Sequence, residues 1–290
     1  MRRTFLSASL VALVILAFPA VASAALPNHL PPLGTAGNYA VLAGTTVTNT
    51  GPTWITGKVG LSPGSAITGF PPGTSGHKDV ANGAALTAKN NLTTAYTDAA
   101  AQTPFTSLPT ELGGTTLTRG TYRQGTAGLT GTLTLNGGGS STGVWIFQIG
   151  STLITGASTG ARVRLINGAQ PCDIFWQVGS SATIGTSTVF VGNIMALTSI
   201  AMQTGATLNG RALARNGAVT LDTNRIIQPS GCGFAVPTYV PPPGGNVLPA
   251  TLGVPQELLG SFPWLLVIGV GAGAGVIALG VSARRRRRTA

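Results

Sequence analysis

Charge is scarce in this sequence: 8% of its 290 residues are Asp, Glu, Lys or Arg, against about a quarter in an ordinary globular domain. A disordered polyelectrolyte, which needs high charge and low hydrophobicity, is excluded. So is a long coiled coil, which would be rich in Ala, Glu, Lys and Leu. Acids number six and histidines two. Hydrolytic or acid–base chemistry needs histidine or paired carboxylates gathered in a pocket. Here His29 stands near the start of the mature chain, His77 lies in a Gly/Pro-rich loop beside Lys78 and Asp79, and the acids are scattered. No nucleophile elbow, phosphate loop or metal-spaced cluster occurs. The expectation is a non-enzyme with no cofactor and no metal. What the chain has instead is 42 glycines, 19 prolines and a mean hydropathy of +0.34, in a length sufficient to bury a core.

The formal charge of +11 and a pI near 11.1 suggest a nucleic-acid partner until the cations are located. Arg2 and Arg3 open the chain and Arg284 to Arg288 close it; between them ten Lys/Arg face six acids, a net +4 with no basic stripe along the sequence. Arg2-Arg3, the apolar run Leu10–Phe18 and Ala22-Ser23-Ala24 compose a secretory signal peptide, residues 1–24. Phe262 to Val281 is an uncharged apolar stretch of bilayer-spanning length, placed in a span at 262–282. The arginine run behind it, in the tail 283–290, is expected to stay cytoplasmic by the positive-inside rule. The body is then exported and held at the cell surface. Gly269 and Gly273 have the spacing of a small-residue helix-packing motif. Leu248-Pro-Ala-Thr-Leu252 resembles the Gram-positive cell-wall sorting signal, but Leu252 replaces the glycine at which that signal is cut, so a plain membrane anchor is expected. Residues 229–261 read as a linker, with Pro237–Gly245 an extended polyproline spacer.

The body, 34–228, alternates short β-branched segments with tight turns. Asp79 to Gln102 differs: it has no proline, and no glycine after Gly83. Its apolar positions Val80, Ala84, Leu86, Ala88, Leu92, Ala95, Tyr96 and Ala99 fall mostly on one helical stripe, with Asp79 as the expected cap. Runs such as Val144-Trp-Ile-Phe147, Ile174-Phe-Trp176 and Val189-Phe-Val191 read as strands buried on both faces, one face covered by the lone helix. Four segments align: Thr152–Thr155, Thr183–Thr186, Ala201–Thr204 and Thr220–Thr223. The last three are 18 and 19 residues apart, and the first gap is 31 and requires an insertion. Recurrence of a strand-turn unit at this period is a solenoid signature.

Leu33-Gly-Thr-Ala-Gly-Asn-Tyr-Ala-Val-Leu-Ala-Gly44, Thr46-Val-Thr-Asn-Thr-Gly51, Gly57-Lys-Val-Gly-Leu-Ser-Pro-Gly64, Phe147–Thr152, Phe175–Ser181 and Asn209–Gly217 follow one another in an order that resembles the microbial ice-binding-protein-like (antifreeze) family over nearly all of 34–228. The resemblance implies a mostly β chain: a right-handed β-solenoid of triangular section with one long helix alongside. It also implies that one flat face adsorbs to ice. Thr supplies a hydroxyl and a methyl and is stiff at χ1, so ordering it costs little entropy. Coils stack about 4.8 Å apart, and alternate residues of a strand stand about 6.7 Å apart. The family's Thr-Ala/Gly-x-Thr/Asn pattern is met by Thr204-Gly-Ala-Thr207 and nearly by Thr155-Gly-Ala-Ser158. The candidate ice-contacting residues are Thr155, Ser158, Thr183, Thr186, Thr204, Thr207, Thr220 and Thr223, with Gln203 and Asp222 interrupting the columns. Any one of these threonines reads equally as a turn or coil-corner residue.

Ice or ordered water is therefore the expected partner of the body, and the membrane that of the C-terminal helix. A monomeric ectodomain is expected and nucleic acid is not. Cys172 and Cys232 both lie in the exported part, where a disulfide is chemically allowed, and two free thiols are the alternative. Asn91-Leu-Thr93 has the form of a glycosylation acceptor but falls on the helix. The rival reading is a surface adhesin or spacer holding glycan, cell wall or other cells, for which Trp54 is the one exposed aromatic candidate.

Overall fold

The computed structural model describes residues 28–139, 143–158 and 160–231. The expected signal peptide, linker, sorting-like motif, span and basic tail, together with Cys232, lie outside the described residues. Among the described residues no helix is long and apolar enough to cross a membrane.

Short strands, 21 among the described residues, pair exclusively in parallel where named strands meet, and they fall into three stacks. One stack runs Ala127–Leu129, Leu153–Thr155, Ala182–Ile184, Ile200–Met202, Val219–Asp222, Thr46–Thr50, Ala66–Thr68. A second runs Thr116–Leu117, Thr132–Asn136, Arg162–Ile166, then the first halves of Val189–Ala196 and Thr207–Ala214, then Arg225–Ile227 and Trp54–Thr56. The third contains the second halves of those two long strands between Tyr39–Ala43 on one side and Ile174–Val178 and Trp145–Ile149 on the other. Both long strands turn from the second stack to the third at paired glycines. Gly192 has φ +113°, and a Cβ on Gly210 would lie 1.9 Å from the Gly192 carbonyl oxygen. No side chain fits either position.

Coil order in space is not chain order. The first strands stack on the last: Val41 pairs with Ala212, Val47 with Val219, and Trp54 with Arg225. The chain then returns to the far end of the stack after helix α1, Gly83–Ala101. The helix begins three residues later than the sequence suggests, because Asp79 and Val80 still pair with Gly60 and Leu61. Asn82 is the cap, its side chain accepting from the Ala85 N–H at 2.9 Å. Asp79 supports that cap from behind, accepting from the Asn82 side-chain amide at 3.0 Å with one oxygen and from the Tyr39 hydroxyl at 2.8 Å with the other.

The third stack is buried on both faces, as its continuous apolar runs require. Inward, Tyr122, Phe147 and Trp176 form an aromatic file that Phe190 of the second stack completes, with centroid separations of 5.7, 3.9 and 4.9 Å. Outward, Leu42, Ile146, Phe175, Met195 and Leu213 meet Ala88, Leu92, Ala95, Tyr96 and Ala99 of the helix. The alanines let the helix backbone lie close to the sheet. Leu86, expected on the apolar stripe, is exposed. Polar groups trapped in this layer are bonded: Gln148 donates to the Ala99 and Gln102 carbonyls, and Gln177 to the Tyr96 hydroxyl, as burial demands. Cys172 is disulfide-bonded.

Candidate functional site

With one stack covered by α1, the first and second stacks have outer faces on which, among the described residues, no other element is layered. On the first, the pairing brings Gly128, Ile154, Thr183, Ala201, Thr220, Thr48 and Thr68 into a single outward column. None is charged. Inward neighbours such as Leu153, Ile184, Ile200, Met202, Val219 and Leu221 are buried in the core, which fixes this alternation. Thr48 and Thr220 sit hydroxyl to hydroxyl at 3.4 Å. On the second stack the outward column is Thr132, Arg162, Val189, Thr207, Arg225 and Trp54, with Thr134 and Arg164 beside it. The Arg225 guanidinium lies 5.1 Å above the Trp54 ring. Three cations scattered in the sequence thus share one face, an assembly that reading along the chain concealed.

Between the two faces runs a ridge of turns. Backbone bonds descend it coil by coil: Ser158 N–H to Thr186 O at 3.0 Å, Ser187 to Thr204 at 3.1 Å, Gly205 to Asp222 at 3.2 Å and Thr223 to Thr50 at 2.9 Å. The donors Ser158, Ser187, Gly205 and Thr223 all have positive φ, and the acceptors Thr186, Thr204, Asp222 and Thr50 form the row beside them. Asn224, buried behind the ridge, donates to the Gln203 and Ala206 carbonyls and ties it to the interior.

The eight candidates therefore divide. Thr183 and Thr220 lie on the first face, Thr186, Thr204, Thr223 and Ser158 on the ridge, and Thr207 at the edge of the second face. Thr155 is inside. It is 2% exposed, its hydroxyl 2.8 Å from that of Thr188 and accepting from the Gly185 N–H at 2.7 Å. The reason is register. Leu153 pairs with Ala182, so Thr155 falls level with inward Ile184 rather than with Thr186, and the added residues sit in the turn before Arg162. Thr223 is also displaced. The turn from Leu221 to Arg225 is one residue shorter than that from Met202 to Thr207, so Asp222 takes the threonine row and Thr223 the positive-φ position. Gln203 and Asp222 do not interrupt the ridge. The Gln203 side chain accepts from the Thr186 N–H at 3.2 Å, and Asp222 accepts from the hydroxyls of Thr204 and Thr223. Thr48 and Thr68, absent from the candidate set, complete the first-face column. Their own segment, Thr46-Val-Thr-Asn-Thr50, carries the alternation that could have revealed them.

The ice-binding-like family model matches residues 41–227. The chain belongs to that family. It is 46% identical over 220 residues to an ice-binding protein of Nostoc sp. (strain HG1), covering 74% of this chain and 81% of that one. It is 39% identical over 214 residues to an ice-binding protein of Flavobacterium frigoris (strain PS1), covering 68% and 76%. Among solved structures, an ice-binding protein from an Antarctic biological consortium superposes with a TM-score of 0.66 at 44% identity, covering 73% of this chain and 95% of that one. That of the Antarctic ascomycete Antarctomyces psychrotrophicus gives 0.65 at 41%, covering 68% and 97%.

Proposed function

We propose that this protein adsorbs to ice through the threonine ridge and the two uncovered faces that it joins. Family membership supports ice as the ligand. The observation that carries the location is the ridge itself: Thr186, Thr204 and Thr223 between Thr183 and Thr220 on one side and Thr207 on the other, on a backbone repeating at the coil spacing of about 4.8 Å. Rigid hydroxyls and methyls at fixed intervals match an ordered water layer at low entropic cost. Arg162, Arg164 and Arg225 make the outer part of the second face the less suitable side, so contact is weighted toward the ridge and the uncharged column. We read the coil as a right-handed solenoid of triangular section, in keeping with the handedness of parallel crossovers. We read the body as an exported monomer held at the membrane by the span at 262–282, inhibiting ice growth or recrystallisation or attaching the cell to ice. Cys172, given the chain's two cysteines, is read as bonded to Cys232, tying the lead-out to the solenoid.

Thr204→Tyr in the full chain tests the location. Thermal hysteresis and recrystallisation inhibition should both be largely lost with an unchanged melting temperature, because the ring holds the surface off ice. Thr220→Tyr and Thr207→Tyr then apportion contact between the two faces. Full activity in Thr204→Tyr would remove the ridge from the site. The second reading, a glycan-holding adhesin, is favoured by exposed aromatics: Trp54, 46% exposed and stacked with Arg225, and, beyond the one candidate expected from sequence, Phe105, 41% exposed beneath the Arg123 guanidinium. It leads if unmodified protein leaves growing ice crystals unshaped.

A further inference from the structure

We propose that Asp222 is a positioning residue that fixes the polarity of the ridge, so that Thr204 and Thr223 meet the ice-side water layer as hydrogen-bond acceptors and not as donors. This rests on the ridge being the ice-contacting surface. Asp222 stands in the threonine row. One carboxylate oxygen, Oδ2, accepts from the Thr204 hydroxyl of the adjoining coil, and Oδ1 accepts from the Thr223 hydroxyl at 3.0 Å. A hydroxyl has one proton and two lone pairs. Both protons are therefore committed within the ridge, while Thr204 and Thr223 are themselves exposed and carry their lone pairs outward. A carboxylate has no proton of its own to offer, so three consecutive groups present acceptors alone, and a water molecule docking there must donate.

Surrounding residues hold this arrangement in place. The Asp222 N–H donates to Asn224 Oδ1 at 2.7 Å, which orients the turn. Gly51, in the next coil, leaves room for the Thr223 hydroxyl: a Cβ there would lie 2.4 Å from Thr223 Oγ1. The Gln203 side chain, in the coil above, is engaged by the Thr186 N–H. An unconstrained threonine row would rotate its hydroxyls freely and lose that freedom on adsorption. Here the rotation is already stopped by a charge-assisted bond, the stronger kind.

Asp222→Asn keeps size and turn geometry but replaces one acceptor oxygen with an amide donor, so one hydroxyl must turn its proton outward. Each misdirected hydroxyl forfeits about one hydrogen bond, so the full-chain concentration giving half-maximal recrystallisation inhibition should rise roughly two- to tenfold, with the melting temperature unchanged. The deciding measurement repeats the substitution in a Thr204→Val, Thr223→Val background. There Asp222→Asn should change nothing further, because no hydroxyls remain for it to orient. No loss in the unmodified background, or an equal loss in both, overturns the proposal. If Thr204→Tyr abolishes activity while Asp222→Asn is silent, the positioning role alone falls. If Thr204→Tyr retains activity, the ridge reading falls and takes this role with it.

Discussion

Lys89 offers a test of the packing between helix and solenoid. It sits in the middle of α1, 8% exposed, with its amine donating to the carbonyls of Ala214 and Arg215 at the end of a long strand. Burial, with the Arg215 cation adding to it, pushes its pKa down from the ordinary 10.5 to about 8. The unfolded chain consequently binds up to one proton more than the folded chain between about pH 8 and 10.5, and stability rises with pH across that window. Holding the charge at neutral pH costs about 3 kcal/mol, of which about 2 kcal/mol is recovered from pH 7.5 to 9.5. The neutral amine keeps two N–H groups and so keeps both carbonyls satisfied. Arg211, lowered to about 10 by burial, acts in the same direction at higher pH. Tyr39, Tyr96 and Tyr122, all raised chiefly by burial, oppose it once unfolded tyrosine ionises near pH 10, so the range should stop at 9.5. Urea midpoints of the full chain are the measure. Lys89→Met removes the charge but loses two bonds of about 1 kcal/mol each. It should lie about 1 kcal/mol above wild type at pH 7.5, level with or below it at 9.5, and show little slope between. A wild-type stability that falls over this range, or an equal rise in Lys89→Met, would refute the argument.

The remaining predictions concern the core and the cap. Trp176→Ala empties the middle of the aromatic file, where the ring stacks 3.9 Å from Phe147. It should cost about 3–5 kcal/mol, read as a lower urea midpoint at pH 7.5, and a loss below 1 kcal/mol would mean the file is not close-packed. Asn82→Ala removes the side-chain acceptor of the helix start and should cost about 1 kcal/mol in the same assay, while Asp79→Asn, which keeps one oxygen to accept from the Asn82 amide, should leave the cap intact.

Much of the architecture was legible because the side-chain code is local. Trp145, Phe147, Phe175 and Trp176 form uninterrupted apolar runs, and strands covered on both faces are written that way; all four are fully buried. The three copies containing Thr183, Ala201 and Thr220 align correctly because their turns differ by at most one residue, so a fixed period finds their pairing. The first copy fails because extra turn residues before Arg162 let a two-residue slip preserve the alternation of apolar and polar positions. Such a slip violates no local rule, yet it moved Thr155 from interior to surface. Asp222 was misread for a related reason. A carboxylate among threonines looks like an interruption until the short turn brings it within reach of two hydroxyls on different coils.

The stacking of first coils on last was beyond sequence reasoning, and it bears on function. Thr48 joins the column of Thr220, and the Thr50 carbonyl receives the Thr223 N–H, only once residues 39–80 have docked on residues 207–227. Loop closure over so long a separation carries its entropic cost before any contact rewards it. The ridge is therefore complete only when the two ends of the chain are docked, and Asp222 lies at that junction. Thr204 and Thr223 acquire their shared acceptor from a turn whose other neighbour is the N-terminal coil, so a chain that has not closed lacks the ordered hydroxyls as well as half of the column. A flat array for ordered water requires that the two ends of the sequence meet in register. Along that seam the uncharged pair Thr220–Thr48 lies on the first face, the carboxylate of Asp222 is bonded on both oxygens, and Arg225 stands away on the second face against Trp54.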